Sequence, residues 1–177
     1  MAGQGGERVT ERAVVLVGHG GVPSDFPRAE LMRLKALEGR RHAEHTPMSE
    51  EERALDDKLR GWPRTDASDP YRAGLERIAS ALATRLGGAA LYLAYNEFCA
   101  PSIEQAVAQA IREGARQVTV VPSMVTPGGV HSEREIPEVL AQLRAEHPEV
   151  AIRYAWPFAE ELVAELFAEQ VRRARVK

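Results

Sequence analysis

The chain has 177 residues, of which 23 are Lys or Arg and 26 Asp or Glu, giving a net charge of −3. That length carries one well-buried core and is short for two, and the charge balance argues against a phosphate-backbone partner, so no nucleic acid is expected. One cysteine excludes an intrachain disulfide framework and fits a reducing compartment; no run approaches ~18 apolar residues and Met1–Glu7 is too polar for a signal peptide, so no membrane partner and a cytoplasmic location are expected.

Residues 1–10 read as a disordered polar lead-in, broken by Gly3, Gly5 and Gly6. Ala13–Val17 is a continuous apolar run, the mark of a strand covered on both faces and so of a parallel sheet between helices. It feeds Gly18-His19-Gly20-Gly21, after which Pro23 and Pro27 forbid a regular element. Residues 28–65 are dense in Arg, Glu and Lys, with sparse apolar positions (Leu31, Leu34, Leu37, Leu55, Leu59, Trp62) in two helical patterns parted at Thr46-Pro47. Ser49-Glu50-Glu51-Glu52 has the form of a capping box for the second. The segment has too little apolar area for a domain of its own, and reads as a helical insertion across the mouth of a site or at a subunit contact.

Asp69-Pro70 is a strong helix start, and Tyr71, Leu75, Ile78, Ala79 and Leu82 follow at helical spacing until Gly87-Gly88. Then come a strand over Ala89–Tyr95, a helix over Ser102–Glu113, a strand over Gln117–Val121, a helix over Glu133–Glu146, a strand over Val150–Tyr154 and a last helix over Glu160–Arg175. The apolar stripe of each helix is expected in the core. Strands alternating with helices predict an α/β fold with right-handed crossovers, one four-stranded parallel sheet and a single domain over residues 1–177, with residues 28–65 inserted after the first strand. The late basic cluster Arg172, Arg173, Arg175 and Lys177 suits a helix C-terminus.

Polar groups gather where these strands end, the edge at which open parallel sheets bind ligands. His19 follows the first strand, Glu97 the second, and His131, after Pro127-Gly128-Gly129, the third, with Glu133 and Glu135 just beyond. Neutral imidazoles and a carboxylate on separate rigid elements suit Zn, Co, Ni or Fe(II) better than Mg or Ca, and Glu97 can also accept a proton. The ligands are scattered and no Cys-x-x-Cys is present, so an open, substrate-completed site is expected rather than a structural one. Glu133 and Glu135 also suit a helix N-terminus on dipole grounds. His42 and His45 have spacing compatible with shared metal binding, but solvated histidines are the plainer reading of so polar a segment. His147 reads as a helix-end residue and Cys99 as a small buried one.

Three strings together resemble the signature segments of the small sirohydrochlorin chelatases, the class II, ATP-independent cobalt, iron and nickel chelatases of cobalamin and siroheme biosynthesis. They are Val15-Leu16-Val17-Gly18-His19-Gly20, Ala94-Tyr95-Asn96-Glu97-Phe98-Cys99-Ala100-Pro101-Ser102-Ile103, and Gly128-Gly129-Val130-His131 through Glu135-Ile136-Pro137. The resemblance spans roughly residues 13–21 and 70–158, in the same order and spacing. It implies a chelatase-like three-layer fold and insertion of divalent Co, Fe or Ni, as substrate and without a nucleotide, into a sirohydrochlorin-type tetrapyrrole. On the same resemblance His19 and His131 hold the metal, Glu97 matches the family acid of the second segment and Glu135 the acid before Ile-Pro; two copies pair as a homodimer. Glu97 or Glu135 is a further candidate metal ligand.

Removing two pyrrole protons while passing over a partly dehydrated metal calls for neutral imidazoles and a nearby base, which makes Glu97 the expected proton acceptor. A different class of function, a non-catalytic metal- or tetrapyrrole-binding protein on the same fold, uses the same residues without turnover. A phosphohistidine enzyme is disfavoured because Gly18, rather than an arginine, precedes His19.

Overall fold

The structure is a computed structural model and describes residues 11–174. The lead-in expected over residues 1–10 lies outside the described residues, as do Arg175 and Lys177 of the basic cluster. Four strands, β1 (Arg12–Gly18), β2 (Ala90–Tyr95), β3 (Gln117–Pro122) and β4 (Ala151–Tyr154), form one all-parallel sheet in the order β2-β1-β3-β4. β1 is central, and its apolar run is buried as such a run must be, with Val15 and Val17 fully enclosed. Gly18 pairs with Tyr95 and Val17 with Pro122, so β1, β2 and β3 end level and release their loops at one edge. The chain passes from β1 to β2 on one side while β3 lies on the other, which opens a crevice above β1.

Helices cover both faces. α3 (Pro70–Ala83) sets Leu75 and Ala79 against Leu16 and Tyr95 on one; α4 (Ile103–Arg112) and α5 (Ile136–Glu146) set Val107, Ala110, Leu140 and Leu143 against Val15, Val118, Val120 and Ile152 on the other. Their starts follow local chemistry. Asp69 accepts the Arg72 amide over Pro70 at the head of α3, and Ser102 and Gln105 cap each other's backbone at the head of α4. α5 is preceded by a π-helical turn, His131–Glu135, closed by the Ile136 amide donating to the His131 carbonyl. Helical structure thus begins two residues earlier than Glu133, and His131 stands on a turn of helix rather than in the glycine loop before it.

The insertion folds as two helices, α1 (Arg28–Glu44) and α2 (Glu50–Arg60). Its few apolar residues make a small cluster separate from the two sheet clusters: Leu34 and Leu59, fully buried, and Phe26, flanked by Val22, Leu31, Leu55, Trp62 and Phe98. Burying each leucine contributes ~1.5–3 kcal/mol. The capping box expected at Ser49 is only half formed. The Ser49 hydroxyl accepts the Glu52 amide, but the Glu52 carboxylate is buried and takes the Arg41 guanidinium at 2.7 Å, because that ion pair ties α2 to α1.

The expectation of a buried stripe fails for α6 (Glu160–Ala174), which has no buried residue among those described: Leu162, Leu166, Phe167 and Val171 are all more than half exposed. Ile78 on α3 is exposed too, at 59%, because none of the described elements covers that side of the helix. Among the described residues no helix is long and apolar enough to cross a membrane.

Candidate metal centre

His19 is the first residue beyond β1, and its placement is determined by backbone bonds. Its amide donates to the Tyr71 hydroxyl at 2.7 Å and its carbonyl accepts the Glu97 amide at 2.8 Å, while the Gly18 carbonyl accepts the Asn96 amide at 2.9 Å. The first and second loops are thereby laced together. Gly20, with φ +98°, lets them approach: a Cβ built there stands 1.9 Å from the Glu97 carbonyl oxygen. His131 reaches the same place from the π-helical turn beyond β3, and its ring meets that of His19 edge to face with centroids 4.8 Å apart.

His19, Glu97 and His131 each offer one ligand atom, and these atoms all lie within 4.8 Å of one another. Nε2 of His19 is 4.0 Å from Glu97 Oε2. Two donors on opposite sides of an ion bound at about 2.1 Å stand about 4.2 Å apart, so small side-chain rotations bring the three into range. All three are partly exposed, which leaves one side of the group open.

The hydrogen bonds indicate which ring nitrogens are free. Nδ1 of His19 lies 2.9 Å from the Gly20 carbonyl and Nδ1 of His131 lies 2.7 Å from Glu135 Oε2; each acceptor calls for a proton on Nδ1 and leaves a lone pair on Nε2. Glu135 therefore stands behind His131 rather than beside Glu97, and it is absent from the three-residue group. Burial alone would push its carboxyl up, but the bonds from His131 and Asn96 outweigh burial and hold it below the usual carboxylate range.

The other sequence candidates lie elsewhere. Glu133 turns back to accept the Gly128 amide at 3.2 Å. His42 is exposed on α1, His45 is the left-handed residue that ends it, and His147 ends α5; none joins a ligand cluster among the described residues. Cys99 is fully buried, and burial pushes its thiol up. Two polar residues near the centre were not anticipated. Asn96 lies within 3.0 Å of His131 Nδ1 and donates to Glu135, and buried Arg64 lies behind both loops. Asn96 is adjacent to Glu97 in sequence, whereas Arg64 carries no local signal. The insertion does face the site: a pocket of about 540 Å3 lies between them, lined in part by Glu38, Arg41, Asn96, Glu97 and Glu135.

Chemically, two imidazole nitrogens and one carboxylate on an open edge can hold a first-row divalent ion loosely and take up a proton beside it.

Over residues 67–174, more than half of the chain, the sequence matches the CbiX family; this stretch includes Glu97, His131 and Glu135 and begins after His19. It is similar, at 27% identity over 81 residues, to the sirohydrochlorin ferrochelatase of Priestia megaterium, covering 45% of this chain and 30% of that protein. It is also similar, at 41% identity over 51 residues, to the sirohydrochlorin cobaltochelatase of Methanocaldococcus jannaschii, covering 29% of this chain and 35% of that one. The matched stretches thus span about a third of the length of these relatives. Among solved structures, a CbiX protein of cobalamin biosynthesis from Marinobacter aquaeolei superposes with a TM-score of 0.52 at 20% identity over 92% of this chain and 98% of that one, a likeness of fold.

Proposed function

This chain belongs to the CbiX family, and from that premise we propose that it is a metal chelatase which inserts divalent Co, Fe or Ni into a sirohydrochlorin-type tetrapyrrole. The observation that carries the reading is the convergence of His19, Glu97 and His131 at the level ends of three parallel strands.

In this proposal the metal is a substrate, received on the Nε2 atoms of His19 and His131. Neutral imidazole binds tightly enough to position the ion and weakly enough to release it. Metallation exchanges one divalent ion for two pyrrole N–H protons, so a base must stand beside the metal; the 4.0 Å between Glu97 and His19 Nε2 supports that role for Glu97. The Glu135 carboxylate, itself held by the Asn96 amide, keeps His131 in the tautomer that presents Nε2. No nucleotide enters the reaction.

The working unit in this proposal is a homodimer of one-domain chains. An open site supports this, as do the four large apolar side chains that α6 leaves unpaired and a groove of about 330 Å3, mostly apolar, between that helix and the loop after β3. A second copy laid on this face would cover it, and its own loops would help enclose the macrocycle. A reducing cytoplasm accords with one free, buried cysteine.

The test is an anaerobic optical assay of sirohydrochlorin with Co(II), Ni(II) or Fe(II), run with the wild-type protein and with the His19→Ala, His131→Ala double variant. Faster metallation that disappears in the variant is expected. Equal rates with and without wild-type protein, for all three metals, would reject the enzyme in favour of a binding protein.

A further inference from the structure

Arg64, at the end of the insertion, bonds to both loops of the site. It follows α2, and its side chain is 2% exposed. One terminal nitrogen donates to the Gly21 carbonyl at 2.7 Å and to the Asp69 carboxylate; the other donates to the Leu59 carbonyl at 3.1 Å and to the Phe98 carbonyl. Gly21 lies two residues beyond His19, and Phe98 one residue beyond Glu97. A single planar guanidinium thus spans the two segments that carry a metal ligand and the proposed base, and joins them to the insertion.

Three observations indicate that this serves the site more than the fold. Arg64 lies outside both sheet clusters, whose packing needs no arginine. A buried ion pair is weak support for stability, because desolvating both charges offsets their attraction. Finally, Phe98 has φ +60°, a left-handed conformation unfavourable for a phenylalanine, and its carbonyl is one that Arg64 receives. Strain next to the proposed base is thus held by the insertion. Arg60 adds to the hold, donating at 3.3 Å to the Asn96 carbonyl and at 3.4 Å to that of Cys99.

We propose that Arg64 is a positioning residue that sets the separation of His19 and Glu97, so that the inserted helices are part of the metal centre's framework. This rests on the metal centre proposed above. The planar fork matters because lysine, a point donor, can pair with Asp69 but cannot bridge Gly21 and Phe98 at the same time.

The test is Co(II) binding by the full chain, without tetrapyrrole, read as a dissociation constant and as the visible absorption of the saturated complex. The Arg64→Met, Asp69→Asn variant removes both buried charges together, and Asn can still cap α3. Binding about 10- to 100-fold weaker is expected, the range seen when groups supporting a ligand are lost, with an altered saturated spectrum. A merely stabilising arginine would lower the melting temperature and leave that spectrum unchanged, and this result would overturn the proposal. Should the double variant not fold, Arg64→Lys decides: wild-type affinity and spectrum overturn the proposal, and a changed spectrum supports it. Wild-type protein that binds no Co(II) rejects the metal centre itself, and this role with it.

Discussion

The side-chain amide of Asn96 donates at 2.8 Å to Oε2 of Glu135, the same oxygen that lies 2.7 Å from Nδ1 of His131. Two donors, one from the second loop and one from the π-helical turn, thus meet on one carboxylate, and the imidazole is held with Nε2 outward. Glu135→Gln would let an amide N–H face Nδ1 and favour the other tautomer, with the proton on Nε2. Co(II) affinity should fall about 10- to 100-fold with the fold intact, checked by titration calorimetry and circular dichroism. Asn96→Leu, which removes one donor and keeps the carboxylate, should fall less.

In the proposed mechanism a change at Glu97 separates catalysis from binding. If it takes the pyrrole protons, Glu97→Gln should reduce turnover about 100-fold or more while both imidazoles still hold the metal, with its affinity changed much less. Single-turnover metallation measured beside equilibrium Co(II) titration checks this; equal losses in both would make Glu97 a ligand only.

Gly20 sets the approach of the first two loops. Alanine there meets the Glu97 carbonyl and must also hold φ near +98°. Gly20→Ala should therefore destabilise by more than about 1 kcal/mol, read from urea unfolding, and should weaken metal binding because His19 and Glu97 move apart.

Three tyrosines bear on the alkaline limb of stability, and burial pushes the Tyr95 hydroxyl furthest above its ordinary range. Burial, aided by the bond to Glu113, pushes Tyr92 up to about 12, and burial does the same for Tyr154 despite its bonding at Ser132. A folded-state value above the unfolded one means that the contributions of Tyr92 and Tyr154 are fully present below about pH 10 and are lost as pH rises toward about 12. Unfolding free energy should therefore fall across that interval, and less steeply in Tyr154→Phe, measured by denaturant titration at a series of pH values.

The α6 face makes a prediction about assembly. Leu166→Glu with Phe167→Glu places two charges on a surface now apolar and should shift a dimer to monomer in sedimentation analysis, with unchanged helix content. A wild-type protein that sediments as a monomer at micromolar concentration would reject the homodimer.

The sheet and the strand exits that carry His19, Glu97 and His131 were legible in the sequence because their signals are local. An apolar run ending in Gly-His-Gly, or valines ending in proline before a double glycine, reports a strand and its exit within a few residues. Arg64 was not legible, since its bonds reach Gly21 and Phe98 across 43 and 34 positions and no periodicity marks such a partner. Asn96 was hidden for a similar reason, its partners lying 35 and 39 residues away. The stripe of α6 has the spacing of a packed helix, but spacing identifies a face without saying whether this same chain covers it. The π-helical turn escaped because the residues of a widened turn follow the same pattern as those of an ordinary helix start.

That turn ties the site to chain length. A π turn holds one residue more than the α turn it replaces, so losing any single residue between positions 131 and 135 would restore an ordinary helix and swing what precedes it by about 100°. His131 would then leave the edge where His19 waits, while the core beneath α5 stayed as it was. A deletion of one codon would thus separate the proposed ligand from the scaffold without the sheet being rebuilt.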